Sequence, residues 1–300
     1  MKMKLSCEQH IFQFSETNKP VLKIHSGTTV EIETLDCFAN QIKRAEDKLE
    51  AMDWDRVNPA TGPVYIEDAM PGDILKVNIK NIEIGDQGVM STGKDLGVLG
   101  DRIEGLQSKL VKIEDNYAIF DDKLRIPLNK MIGVIGVATE GDGINCGTPG
   151  IHGGNMDNKM IRENTTLYLP VFVEGALFAL GDLHAVMGDG EIGVSGVEVS
   201  GKVTVNLEVI KGFTLNNPLI ENDDCIATIA SKETLDESVY DAVSDMEKLL
   251  SSRMDLSSGD MAMLFSAVGN TEICQVVDPL KTARFSMPKW VLEKYGFRLF

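Results

Sequence analysis

Between residues 110 and 212 the apolar runs are short, rich in Val, Ile and Thr, and interrupted by Gly or by an acidic turn. Runs of that length are shorter than an ordinary helix of about 11 residues but match a strand of about 5–6. A chain built this way buries its apolar residues by pairing strands and packing sheets face to face. Strands are expected at 110–126 about the turn Glu114-Asp115-Asn116, and at 131–138, 166–173, 175–183, 193–200 and 202–212. Upstream, ILKVNIKNIEI (74–84) alternates apolar and polar side chains, the mark of a half-buried strand. Segments 21–24 and 29–32 flank His25-Ser26-Gly27 and read as a hairpin.

Helical signals are fewer. Residues 234–254 place Leu235, Val239, Val243, Met246 and Leu250 on one stripe behind a Thr234/Glu237 capping box. Shorter helices are expected at 257–268 and at 288–295, the latter with Pro288 at the first helical position. Residues 40–52 carry Ile42, Ala45, Leu49 and Met52 at helical spacing. Segments 85–108 and 139–164 lack periodicity and read as long loops, which in a folded domain are commonly functional. The fold class expected is mainly β with α+β: a β-sandwich-like part over 1–212 and a smaller α/β part over 213–300 packed on it.

Asp plus Glu exceeds Lys plus Arg by 46 to 29, a formal net charge of −17. That balance repels phosphate backbones and anionic lipid, so neither nucleic acid nor a membrane surface is an expected partner. Five dispersed cysteines form no CxxC pair. The first twelve residues lack the apolar stretch of a signal peptide. A cytoplasmic protein is the expectation.

Gly188-Asp189-Gly190-Glu191-Ile192-Gly193 satisfies GxGxxG. A dinucleotide site would require a helix to open there, whereas the following residues are strand-like and Asp189 and Glu191 would oppose a phosphate. The same stretch fits a metal or proton-transfer site. Asp182 and His184, two apart on a strand, can share a face, and the turn 187–190 can return Glu191 to His184. A second constellation is the loop Thr148-Pro149-Gly150-Ile151-His152-Gly153-Gly154-Asn155-Met156-Asp157. Its glycines allow close approach of main-chain N–H groups to a ligand, as an oxyanion requires. His152 there is either functional or simply solvated. Asp36 is a helix N-cap or a carboxylate that joins His184. No G-x-S-x-G occurs, and Cys146 is a weak nucleophile candidate.

Asn58-Pro59-Ala60-Thr61-Gly62-Pro63, Gly153-Gly154-Asn155-Met156-Asp157 and Gly181-Asp182-Leu183-His184-Ala185 with Gly188-Asp189-Gly190-Glu191 together resemble the acetamidase/formamidase family. The resemblance covers nearly the whole chain. It implies hydrolysis of a short carboxamide to carboxylate and ammonia, a β-rich sandwich-like fold, a divalent metal and a homo-oligomer. Zinc is the first expectation for the metal and calcium the second. By position, Asp36, His184 and Glu191 are the implied metal cluster. Glu191, Asp182 and Asp157 are the candidates for proton transfer, and His152, Gly153 and Gly154 for the oxyanion. The alternative is a non-catalytic calcium-binding β-sandwich module.

Overall fold

The structure, a computed structural model, describes residues 3–44, 46, 47 and 49–300. Two large sheets carry most of the chain. The first has nine strands in the order Met3–Leu5, Thr28–Thr34, Gly201–Ile210, Ile74–Ile84, Thr165–Pro170, Leu219–Glu221, Cys225–Lys232, Lys281–Pro288 and Asn270–Gln275. The second runs Arg125–Pro127, Tyr117–Ile119, Leu106–Glu114, Gln87–Gly93, Glu198–Val199, Phe178–His184, Met131–Gly136 and Gly153–Asn155. Ala60–Ile66 joins that sheet against Phe178–His184 and brings His10–Ile11 and Leu22–Ile24 with it.

The inner faces meet in one core. Ile32, Val77, Ile79, Leu167, Val203 and Val205 from the first sheet pack with Val64, Ile66, Ile132, Ile135, Phe178 and Leu180 from the second. Alternation over Ile74–Ile84 puts Leu75, Val77 and Ile79 into this core. Met131–Gly136 is buried on both faces, as a continuous apolar run predicts. The molecule is therefore mainly β, a sandwich with a small helical region at its C-terminal end.

That region comprises α1 (Leu235–Ser251), α2 (Ser258–Val268) and α3 (Lys289–Lys294). Both halves of the Thr234/Glu237 capping box form. The buried stripe of α1 is Ser238, Ala242, Met246 and Leu250, rotated from the expected one; Ala242, Met246 and Leu250 pack on Ile226, Phe285 and Met287, and the Thr228 hydroxyl donates to the Ala242 carbonyl on that face. Met254, Met261 and Phe265 fill a second core with Ile226, Phe285 and Met287. Pro288 is the N-cap of α3 and stands outside it.

Several local expectations change. The segments at 21–24 and 29–32 are not a hairpin: Leu22–Ile24 pairs in parallel with Ala60–Ile66, and Thr28–Thr34 lies in the other sheet. No helix spans 40–52 among the described residues, where only a 3-10 turn forms at Leu49–Ala51. Ala45 of the proposed stripe lies outside the described residues. Asn40 adopts a positive φ of 56°, and the Asp47 carboxylate accepts the Lys43 and Arg44 amides, so main-chain donors go to a side chain rather than to helix carbonyls. Ile42, Leu49 and Met52 are still buried, in a small core with Phe38 and Val89. Much of 85–108 is strand, since Gln87–Gly93 pairs along its length with Leu106–Glu114. Conversely, 193–200 contains only the two-residue strand Glu198–Val199.

Candidate active site

Strand Phe178–His184 is the spine of the site. Its end lies between Met131–Gly136 and Glu198–Val199, with His184 directly opposite Glu198. His184 is 1% exposed. Its Nε2 lies 3.0 Å from Glu198 Oε2, 3.4 Å from Asp182 Oδ1, 3.8 Å from Asp157 Oδ1 and 4.0 Å from Glu191 Oε1. One imidazole edge thus meets four buried carboxylates, from the loop at 157, the strand Phe178–His184, the turn at 191 and the strand Glu198–Val199.

The backbone bends to deliver them. Asp157, Asp182 and Glu191 have positive φ of 41°, 54° and 47°. Such conformations are uncommon outside glycine, cost on the order of 1 kcal/mol or more each, and gather at functional sites. Gly133 lies across the strand from the Asp182 distortion. A Cβ there would come within 2.5 Å of both Asp157 Oδ1 and Asp182 Oδ2, so the absent side chain is what lets the two carboxylates approach. The turn that returns Glu191 is clamped from the C-terminal region. Gly190 donates to the Cys274 carbonyl and its own carbonyl accepts Val276 N–H. Asp189 accepts two hydrogen bonds from buried Arg284, at 3.1 and 2.8 Å, and pairs with Lys159 at 2.7 Å. This ion-paired Asp189, together with the lack of a helix after Gly193, leaves the GxGxxG string without a dinucleotide role.

The electrostatics follow from burial. Desolvation pushes Asp36 and Asp157 up to about 6 and Glu198 up to about 8, His184 offsetting part of the effect at the last two. Desolvation and the nearby Asp157 carboxylate hold Glu191 well above the usual range. At Asp182 desolvation is outweighed by His184, and the result is a lowered value. At His184 desolvation is likewise outweighed, by Glu198 and Asp182, so the imidazolium is favoured. Desolvation and the neighbouring Asp157 and Asp182 carboxylates also raise Asp278, which accepts from Asn155 Nδ2 at 3.0 Å.

The donor set can hold cations. Asp157, His184 and Glu191 form one group whose ligand atoms all lie within 4.8 Å of one another, and Cys37, Asp182 and Glu198 form another. Both Asp157 oxygens, Asp182 Oδ1, Glu198 Oε2 and His184 Nδ1 are buried without a hydrogen-bond partner. Buried polar atoms are normally satisfied. A set of acidic oxygens, one imidazole and one sulfur fits a divalent ion.

The sequence-derived candidates are gathered unevenly. His184, Asp182, Asp157 and Glu191 meet. Asp36 belongs to neither group: its Oδ1 accepts Asn40 N–H at 2.7 Å, while Asn40 Oδ1 accepts Asp36 N–H. His152 is fully buried rather than solvated, lies edge-on to Phe14, and is pushed down to about 4 by desolvation. Gly153 N–H donates to the Gly150 carbonyl, so this amide is not free to bind an oxyanion. At Gly153 and Gly154 an added Cβ would sit 2.2 Å from Ile135 O and 2.3 Å from Thr148 O, and these glycines serve close main-chain packing. Cys146 is buried, its thiol pushed up by desolvation. Sequence reasoning missed Glu198, Asp278 and, as a candidate metal donor, the Cys37 sulfur. Glu198 carried a signal, a lone carboxylate between valines in Val197-Glu198-Val199, whereas Asp278 carried none.

A β-sandwich that buries one histidine among four carboxylates, in groups that could hold a metal ion, defines the class of protein. The acetamidase/formamidase family model matches residues 13–146 and 138–235, and the chain belongs to that family. It is similar to a predicted acetamidase/formamidase from Thermoanaerobacter tengcongensis, with 59% identity, 99% of each chain covered and a TM-score of 0.97. It is also similar to an acetamidase from Bacillus halodurans, at 47% identity over 98% of this chain and 100% of that one, with a TM-score of 0.96. A formamidase from Methylophilus methylotrophus is 22% identical over 67% of this chain and 65% of its own length. The chain spans less than two thirds of the length of the curated relatives it matches.

Proposed function

We infer that the protein hydrolyses a short primary carboxamide, of the formamide and acetamide kind, to carboxylate and ammonia with the help of a divalent ion. The observation that carries this reading is His184 Nε2 facing Asp157, Asp182, Glu191 and Glu198 in a chain of the acetamidase/formamidase family. Asp157 and His184, with Asp182, Glu198 and Cys37 beside them, are the residues that would hold the ion. Bound there, a divalent ion would supply Lewis-acid polarisation of the amide carbonyl and lower the pKa of water towards about 7. Zinc fits the imidazole and sulfur donors best, and calcium fits the carboxylates alone.

Glu191 does the proton work in this scheme. It belongs to the cluster and also lines the cavity through which an amide would enter. As a carboxylate it accepts a proton from the attacking water, and as a carboxylic acid it returns that proton to the leaving nitrogen. Asp182 holds His184 in orientation. Assembly into a homo-oligomer and a cytoplasmic location belong to the same reading, the second because all five cysteines are free thiols. The test is ammonia release from formamide and acetamide by protein loaded with zinc, with a chelator abolishing it. Chelator-induced melting in protein that releases no ammonia would favour the calcium-binding module instead.

A further inference from the structure

Beside the cluster lies a cavity of about 630 Å³. The strands carrying Met90–Thr92 and Gln107–Lys109 form one wall and residues 186–197 the other. Met90, Phe120, Ile126, Val186, Met187 and Ile192 make its lining predominantly apolar. Ile192 is 46% exposed, and Phe120 and Ile126 are only partly buried. Two residues join cavity and cluster. Glu191 lines the cavity and lies 4.0 Å from His184 Nε2. Gly196 lines it too, and its missing Cβ would stand 2.8 Å from His184 Nδ1.

Acetamide has four non-hydrogen atoms and occupies on the order of 100 Å³, taking roughly 30 Å³ for each water-sized unit. The cavity is several times larger and falls in the range of roughly 300–1,000 Å³ typical of pockets for much bigger ligands. Apolar walls that end at a group of carboxylates suit a ligand with one reacting polar end and one apolar tail. A charged tail finds no buried cation on this lining, whose one ammonium, Lys109, is exposed and lies over the Phe120 ring at 3.7 Å.

We propose that the preferred substrates are primary carboxamides with an apolar acyl group of about four to seven carbons, which at roughly 30 Å³ per non-hydrogen atom fit within the cavity and fill less than half of it. The amide lies at Glu191 and the acyl tail against Phe120, Ile126 and Val186. The inference rests on the amidase reading and shifts its preferred substrates to acyl groups longer than those of formamide and acetamide. Water adds to the carbonyl carbon, the C–N bond breaks, and R–CO–NH2 plus H2O gives R–CO2− and NH4+, with no oxidant or reductant involved. Each methylene moved from water onto these walls is expected to raise kcat/KM about three- to fourfold over this range of chain lengths.

The experiment compares formamide, acetamide, butyramide, hexanamide and benzamide as substrates of the zinc-loaded full chain, measuring ammonia release, with calorimetric binding of hexanamide in parallel. Ile126→Trp, which fills the tail region, is made alongside. The expected result is a rise of at least tenfold in kcat/KM from acetamide to hexanamide, and a fall of at least tenfold in the hexanamide-to-acetamide ratio in Ile126→Trp. Hydrolysis of acetamide with rates that fall as the chain lengthens would overturn the proposal and leave the amidase reading standing. No hydrolysis of any amide, with hexanamide still bound and that binding lost in Ile126→Trp, would remove the amidase reading but keep the apolar-tail site. Neither hydrolysis nor binding would overturn both.

Discussion

His184 concentrates the chemistry of this chain at the scale of single residues. Glu198 is its nearest partner at 3.0 Å and comes from directly across the sheet. We expect Glu198→Gln, which removes a carboxylate charge from the proposed ligand set, to weaken divalent-ion binding by about tenfold or more, as read by titration against a chelator, since even loss of a partner that only orients a ligand costs about 10- to 100-fold. Retention of full affinity would remove Glu198 from the site. The buried carboxyls also set a pH dependence for the metal-free protein. Asp36 and Asp157 at about 6 and Glu198 at about 8 lie above their ordinary values, so the folded state holds protons the unfolded chain releases. Their contribution to stability is complete below about pH 4 and is lost as pH rises through 6 to 8, whereas Asp182, lowered from its ordinary value, acts only at more acidic pH and does not oppose this loss. The Tm of chelator-treated protein is therefore expected to fall between pH 5 and pH 8. Added divalent ion should recover it, with a larger gain at pH 8, because binding displaces those protons. A Tm that climbs over this interval would contradict the scheme. At this scale the residue types were legible from spacing: Asp182 and His184 alternate on a strand, and Glu191 follows a Gly-rich turn. Asp278 was not, because only strand pairing among Cys225–Lys232, Lys281–Pro288 and Asn270–Gln275 carries its loop to Asn155.

At the scale of elements, the strand Met131–Gly136 and the turn before Glu191 do the positioning. Gly133→Ala would push a methyl into Asp157 and Asp182. We expect it to cost about 1–3 kcal/mol by overpacking and to lower metal content sharply, checked by urea denaturation and elemental analysis. Normal metal content would show that the carboxylates can move aside. Arg284 is 1% exposed and ties Asn158, Asp189 and Glu272 together. Arg284→Met leaves Asn158 without that donor and Asp189 with Lys159 alone. Because Asp189 and Glu272 keep solvent contact, a loss of about 2–3 kcal/mol is expected, at or below the range for breaking a buried pair, together with reduced kcat as Glu191 loses its anchor. An unchanged urea midpoint would contradict this. Elements with local causes were readable. The α1 start follows from Thr234 and Glu237, three residues apart, and Ile74–Ile84 follows from alternation over Leu75–Ile79 that resumes at Ile82 after a register shift. The stretch 40–52 misled because its apolar spacing is met by burial against Phe38 and Val89, without helical hydrogen bonds.

The whole molecule is organised by a sheet that crosses the boundary expected at residue 212. Leu219–Glu221 pairs with Thr165–Pro170, and Cys225–Lys232, Lys281–Pro288 and Asn270–Gln275 follow. We propose that 1–212 and 213–300 are two parts of one cooperative unit. A chain ending at 212 would expose the Thr165–Pro170 edge and lose Asp278, Arg284 and the Cys274 carbonyl from the site, so it is expected to aggregate, whereas the full chain unfolds in one transition by calorimetry. A soluble, folded 1–212 fragment would refute this. The acidic excess of the whole chain, −17, is not all surface charge, since four of its carboxylates are buried around His184. The sequence by itself determined what depends on near neighbours: strand alternation, helix capping, the Gly-rich turns, and the pairing of Asp182 with His184. The tertiary structure decided which distant carboxylates join them and that segment 85–108 walls a cavity. Those outcomes depend on strand order and register between residues far apart in the chain, and local periodicity carries no information about either.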